Sequence, residues 1–87
     1  MNHCNCPVCG YELGFPAWKQ LSPSDEICPS CGIQFGYDDF AGGDLEQRQQ
    51  IYKKWREDWI TKGMFWWSNR KPPEDWNPRE QLRRIMP

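Results

Sequence analysis

Apolar and polar residues alternate with a period of two in two places near the start of the chain. Ile33, Phe35 and Tyr37 are interleaved with Gln34, Gly36 and Asp38, and Tyr11, Leu13 and Phe15 are interleaved with Glu12 and Gly14. Alternation of this kind puts successive side chains on opposite faces of an extended backbone, so both stretches are expected to be short, half-buried antiparallel strands. Between them the polar, Pro-containing run 16–26 reads as a loop.

The period then changes. Gly42 and Gly43 interrupt the extended segment, Asp44 carries the short acceptor side chain of an N-cap, and Gln47 stands where a capping box places its return partner. Leu45, Tyr52, Trp55 and Trp59 fall on one stripe of a 3.6-residue wheel, flanked by Ile51 and Ile60, and Gly63 suits the position just past the end. A long amphipathic helix is expected over 44–62, with Lys53–Glu57 and Lys54–Asp58 as i,i+4 pairs on its outer face. Residues 64–76 (MFWWSNRKPPEDW) have no regular period, and Pro72 and Pro73 exclude a regular element through them, so an aromatic, Pro-rich wrap is expected there. Asn77 followed by Pro78 and Glu80 starts a short helix over 77–86, with Leu82, Ile85 and Met86 as its apolar side.

Composition sharpens this picture. At 87 residues the chain is expected to be a single domain over 1–87, in the size range where an apolar core alone is marginal. Aliphatic side chains are few, whereas there are six Trp, four Phe and three Tyr, each ring able to cover roughly 150–250 Å². Either the core is mostly rings or some rings face a partner. Phe65, Trp66 and Trp67 are consecutive and cannot all point inward on a regular element. With Arg70 beside them they form the candidate surface for another protein; the competing expectation is a wrap that buries its rings on both sides.

Charge is segregated although the net value is −1. Residues 1–46 hold one base against seven acids, and residues 47–87 hold ten bases against five acids, so the halves are expected to dock on each other. Arg48 and Arg56 lie near the Trp stripe, where they suit either internal stacking and pairing with Asp38 or Asp39, or contact with single-stranded nucleic acid. Asp38, Asp39 and Asp44 lack the spacing of a calcium loop and read as turn and cap residues.

The chemistry is concentrated in HCNCPVCG (3–10) and CPSCG (28–32). Two CxxC units separated by eighteen residues match the spacing of four-cysteine metal sites, which makes Cys6, Cys9, Cys28 and Cys31 the ligands of one ion, with Gly10 and Gly32 at the tight turns. Cys4 and His3 are expected at a loose, exposed end. No apolar h-region follows Met1 and no long apolar run occurs, so neither a signal peptide nor a membrane span is expected. The cytoplasm is then the expected compartment, and its reducing conditions favour metal over disulfides. Four thiolates close a tetrahedral sphere and leave no position for a catalytic water, and the only histidine is His3, so no enzyme is expected.

CPVCGYELGF together with CPSCG resembles the knuckle pairs of rubredoxins and zinc ribbons, although rubredoxins separate their pairs by a longer insert. The wider set CPVCGYELGF, SDEICPSCGIQFGYDDFAGG, YKKWREDWITKGMFWWS and PPEDWNP is similar to short bacterial cysteine-rich proteins of uncharacterised function, related to the CPCC-type zinc-binding proteins, over nearly the whole chain. That resemblance implies a small α+β metal-stabilised domain: a zinc ribbon over 1–41 with rubredoxin-like knuckles and short antiparallel strands, then a long amphipathic helix and a short C-terminal helix. One Zn²⁺ is the implied cofactor, with iron the alternative. The expected role is a structural zinc protein acting as a protein-interaction or adaptor module. A rubredoxin-like electron carrier and a single-stranded nucleic-acid binder are the alternatives.

Overall fold

The computed structural model describes residues 4–86; His3 lies outside them. Two copies of one tight turn organise the N-terminal half. In the first, the Gly10 amide donates to the Cys6 carbonyl (2.8 Å) and the Cys6 amide to the Tyr11 carbonyl (2.7 Å); in the second, Gly32 donates to Cys28 (2.8 Å) and Cys28 to Ile33 (2.9 Å). The flanking backbone closes one isolated antiparallel bridge in each copy, Asn5 opposite Glu12 and Ile27 opposite Gln34.

Neither expected strand forms. After Ile33 the ladder stops at one bond, Phe35 N to Glu26 O (3.0 Å), because the chain turns: Tyr37 N and Asp38 N donate back to Gln34 O. Two aspartates hold that turn, Asp38 Oδ2 accepting from Gln34 N (2.7 Å) and Asp39 Oδ1 from Gly36 N (2.6 Å). Carboxylates offering local bonds of this kind compete directly with sheet pairing. Ile33 and Phe35 are fully buried as the alternation implies, but Tyr37 is 78% exposed because the chain has already turned. The antiparallel pair sits instead inside the expected loop, where β1 (Trp18–Lys19) pairs with β2 (Ser22–Pro23). Its two-residue connection, Gln20–Leu21, has none of the Asn-Gly or Gly-X signature that marks a hairpin in a sequence, although Gln20 adopts φ +58°.

The helices form where expected. α1 runs Leu45–Thr61, and Asp44 Oδ1 accepts from the amides of Glu46 (2.9 Å) and Gln47 (3.2 Å). At its other end Gly63 N donates to Ile60 O (3.0 Å) and Met64 N to Trp59 O (2.9 Å), the two bonds of a Schellman ending. α2 is shorter than the sequence suggested, Pro78–Arg83, with Glu80 N donating to Asn77 Oδ1 (3.1 Å). The Lys53–Glu57 and Lys54–Asp58 pairs do not close; the ion pair among the described residues is Glu80–Arg83 (3.3 Å), in solvent. Among the described residues no helix is long and apolar enough to cross a membrane.

Burial corrects two apolar stripes. Tyr52 and Trp59 of α1 are buried, but Leu45 is exposed and Arg48 takes its place in the interior, because the stripe is rotated toward Trp18 and Asp39. On α2 it is Gln81 that is buried, while Met86 is exposed. The resulting fold is a small α+β unit whose centre is sulfur: Cys6, Cys9, Cys28 and Cys31 with Val8, Ile33 and Phe35, and most of the tryptophans arranged around them.

Candidate metal centre

The four sulfurs of Cys6, Cys9, Cys28 and Cys31 lie within 4.8 Å of one another, and all four residues are buried. Cys6 Sγ is 3.8 Å from Cys31 Sγ, and Cys9 Sγ is 3.7 Å from Cys28 Sγ. A tetrahedral ion with metal–sulfur bonds of about 2.3 Å requires sulfur–sulfur edges of about 3.8 Å. Two edges of the cluster have this length and every sulfur lies within 4.8 Å of the others, a grouping that could hold a single tetrahedral ion. The five cysteines form no disulfide. Cys4 lies outside the four-sulfur group; it is half-buried, and its carbonyl accepts from Leu13 N (2.7 Å).

The glycines of the two turns are required twice over. Gly10 and Gly32 both have φ +84°, a conformation that L side chains adopt only at a cost, and both are approached from the C-terminal half. A Cβ on Gly10 would collide with the Gln81 carbonyl, and one on Gly32 with the Trp67 ring.

Electrostatics follow from crowding. Burial pushes the Cys6 and Cys31 thiols up. Burial also opposes ionisation of Cys9, but hydrogen bonds from Cys28, Cys31, Cys6 and the Ser30 hydroxyl outweigh it and lower that thiol. Burial and the neighbouring Cys28 and Cys9 charges raise the Tyr11 phenol. Four adjacent thiolates are stable only around a cation. Arg56 is committed to the backbone of the first turn, donating from Nε to Val8 O (2.7 Å) and from its terminal nitrogen to Pro7 O (2.7 Å).

The basic half thus reaches the acidic half as expected, but through carbonyls of the turns, since the carboxylates there are occupied with amides. Arg48 donates to the carbonyls of Asp39 (2.9 Å) and Phe40 (3.5 Å), and its guanidinium lies 3.6 Å over the Trp18 ring. The fully buried Asp39 carboxylate accepts from Trp18 Nε1 (2.8 Å), the Tyr52 hydroxyl (2.7 Å) and Gly36 N. Burial and this carboxylate raise the Tyr52 phenol far above its ordinary range. Reading YDDFAGGD (37–44) as turn and cap residues accounts for Asp38 and Asp44 and misses the buried role of Asp39, which nothing in the local sequence sets apart from its neighbour.

Three C-terminal side chains hold the outside of the cluster. Trp55 Nε1 donates to Cys31 O (3.0 Å), Gln81 Nε2 to Ser30 Oγ (3.0 Å), and Trp76 Nε1 to Gln81 Oε1 (2.9 Å). The wrap adds backbone bonds from Trp67 N to Ser30 O (3.1 Å) and Ser68 N to Pro29 O (2.9 Å). Of the residues singled out as a candidate surface, Trp66 turns inward, edge-on to Tyr11 (5.5 Å) and Trp76 (5.2 Å), and its Nε1 donates to Arg70 O (2.7 Å). Phe65 and Trp67 remain about half exposed and face a cavity shared with Trp55 and Trp59. No protein-family model, curated protein or solved structure matches the chain.

Proposed function

We propose that Cys6, Cys9, Cys28 and Cys31 hold one zinc ion, that residues 4–41 form a zinc ribbon around it, and that the metal's role is structural. The observation that carries this reading is the pair of sulfur–sulfur distances, 3.8 and 3.7 Å, inside a buried cluster of four thiols that all lie within 4.8 Å of one another. When bound, zinc supplies folding free energy, on the order of 10–16 kcal/mol for sites of this kind near neutral pH. The protein is then a non-enzymatic adaptor of the cytoplasm, presenting its aromatic C-terminal half to another protein.

Metal analysis of protein purified without added metal is expected to give one zinc per chain, and a colourless solution separates zinc from the iron of an electron carrier. Cobalt substitution is expected to give the visible bands of a tetrahedral tetrathiolate, and chelation to abolish the near-UV tryptophan dichroism. Metal-free protein with unchanged near-UV dichroism and thermal transition would end this reading.

A further inference from the structure

A cavity of about 310 Å³ opens beside Cys31 between α1 and the wrap. Trp55, Trp59, Phe65 and Trp67 wall it, and Asp58 and Lys62 stand at its rim. We propose that it binds the side chain of an arginine presented by a partner protein, the guanidinium stacked on an indole ring and paired with Asp58. This deepens the adaptor reading, and its electrostatic component rests on the zinc reading.

The walls are fixed before any ligand arrives. The indole N–H groups of Trp55 and Trp59 are consumed by the carbonyls of Cys31 (3.0 Å) and Phe65 (3.1 Å), so no donor of these two rings competes for the ligand. Trp67 is held against Gly32 and by the hydrogen bond from its backbone N–H to the Ser30 carbonyl, yet the residue remains 51% exposed. Preorganised rings of this kind favour binding because little side-chain freedom remains to be lost.

Charge selects a cation. Asp58 is exposed and closes no ion pair among the described residues, even with Lys62 one turn away. Cys31 forms part of the cavity wall, and four thiolates around a divalent ion carry a net charge of −2 directly behind it. Aromatic faces beside negative charge attract cations. Arginine fits better than lysine, because a planar guanidinium can stack on a ring and fork onto a carboxylate at once. The protein already stacks one guanidinium internally, where Arg48 lies over Trp18 while donating to the backbone carbonyls of Asp39 and Phe40.

The test titrates the zinc-loaded full chain with the peptide acetyl-Gly-Arg-Gly-amide. The comparison peptides carry lysine or citrulline, the neutral isostere of arginine. Calorimetry gives affinities, and indole N–H resonances locate the site. The arginine peptide is expected to bind at least about tenfold more tightly than the citrulline peptide. It should shift the indole signals of Trp55, Trp59 and Trp67, and Asp58→Asn should reduce its affinity to the citrulline level. Lys62→Gln should tighten binding, since it removes a like charge from the rim. Equal affinity for arginine and citrulline, equal affinity for arginine and lysine, or an unchanged Asp58→Asn variant would each overturn the proposal. Zinc content measured on the same samples separates the two readings: failure to discriminate at full zinc occupancy removes the arginine site and leaves the zinc scaffold standing.

Discussion

Replacing Gln81 with alanine removes a side chain that hydrogen-bonds the C-terminal helix to the second cysteine turn. Gln81 is 4% exposed; its amide donates to Ser30 Oγ and its carbonyl accepts from Trp76 Nε1. Each lost hydrogen bond between neutral groups costs about 0.5–1.5 kcal/mol net, with more where the abandoned partner cannot reach water. Ser30 is fully buried and cannot, whereas Trp76 is only partly buried and can. Together with the small cavity left behind, the expected loss is about 2–3 kcal/mol, or roughly 10–20 °C in Tm for a chain of this length. Gln81→Met keeps most of the volume and removes both bonds, so its loss of about 1.5–2 kcal/mol isolates the polar part. Denaturant unfolding must be run at one buffered free-zinc concentration, because a ligand that binds only the folded state shifts the midpoint by mass action. Ser30 also hydrogen-bonds the Cys9 sulfur, so competition with a chelator should show zinc held about tenfold less tightly in the alanine variant. A change below about 0.5 kcal/mol in Gln81→Ala, with unaltered zinc affinity, would refute the view that α2 braces the metal centre through this residue.

Gly32→Ala forces a Cβ into the Trp67 ring at φ +84°, so it should lower stability by about 2 kcal/mol or more and shift Trp67 emission to the red as the ring is displaced. Tyr52 gives a pH signature: its phenol is raised by burial and Asp39, so the folded state keeps a proton that the unfolded state loses above pH ~10. The stabilisation is complete below that pH and is lost as pH rises further. The stability advantage of the wild type over Tyr52→Phe should shrink steadily in denaturant melts from pH ~9 upward, and a constant advantage would contradict the assignment.

The parts of this fold that the sequence made legible are those determined by local chemistry. Asp44, Gly63, Asn77 and Pro78 each satisfy a helix end with their own atoms or conformation, and α1 and α2 begin and end beside them. The CxxC pairs are equally local, and their duplication is reproduced bond for bond in the two turns. What stayed hidden depends on partners distant in sequence. Ile33, Phe35 and Tyr37 alternate as a strand does, but the chain turns at Gln34 and the side chains of Asp38 and Asp39 hold that turn. Arg48 suits internal stacking in the sequence, but its ring, Trp18, and its carbonyl partners on Asp39 and Phe40 lie in other segments. Gln81 looks like a surface residue in a helical wheel and is buried where the Ser30 hydroxyl meets it. Trp55 was readable as an apolar stripe residue, while its place on the rim of a cavity with Phe65 and Trp67 depends on the path of the irregular wrap.

In most small α+β folds a sheet joins distant segments through backbone ladders. Here β1 and β2 have two residues each and the cysteine turns contribute single bridges, so side chains take over that task. Arg56 holds Pro7 and Val8, Trp55 holds Cys31, and Gln81 holds Ser30: every one of these bonds ends on a residue within or between the CxxC ligands. The carbonyls and hydroxyl they grip are in place only while the two turns are drawn together. An ion at the sulfurs therefore stabilises more than the turns, because α1 and α2 dock on groups that it positions. Loss of the ion would release the helices along with the two turns, and the expected consequence is one cooperative transition in which cysteine accessibility, tryptophan dichroism and helicity change together.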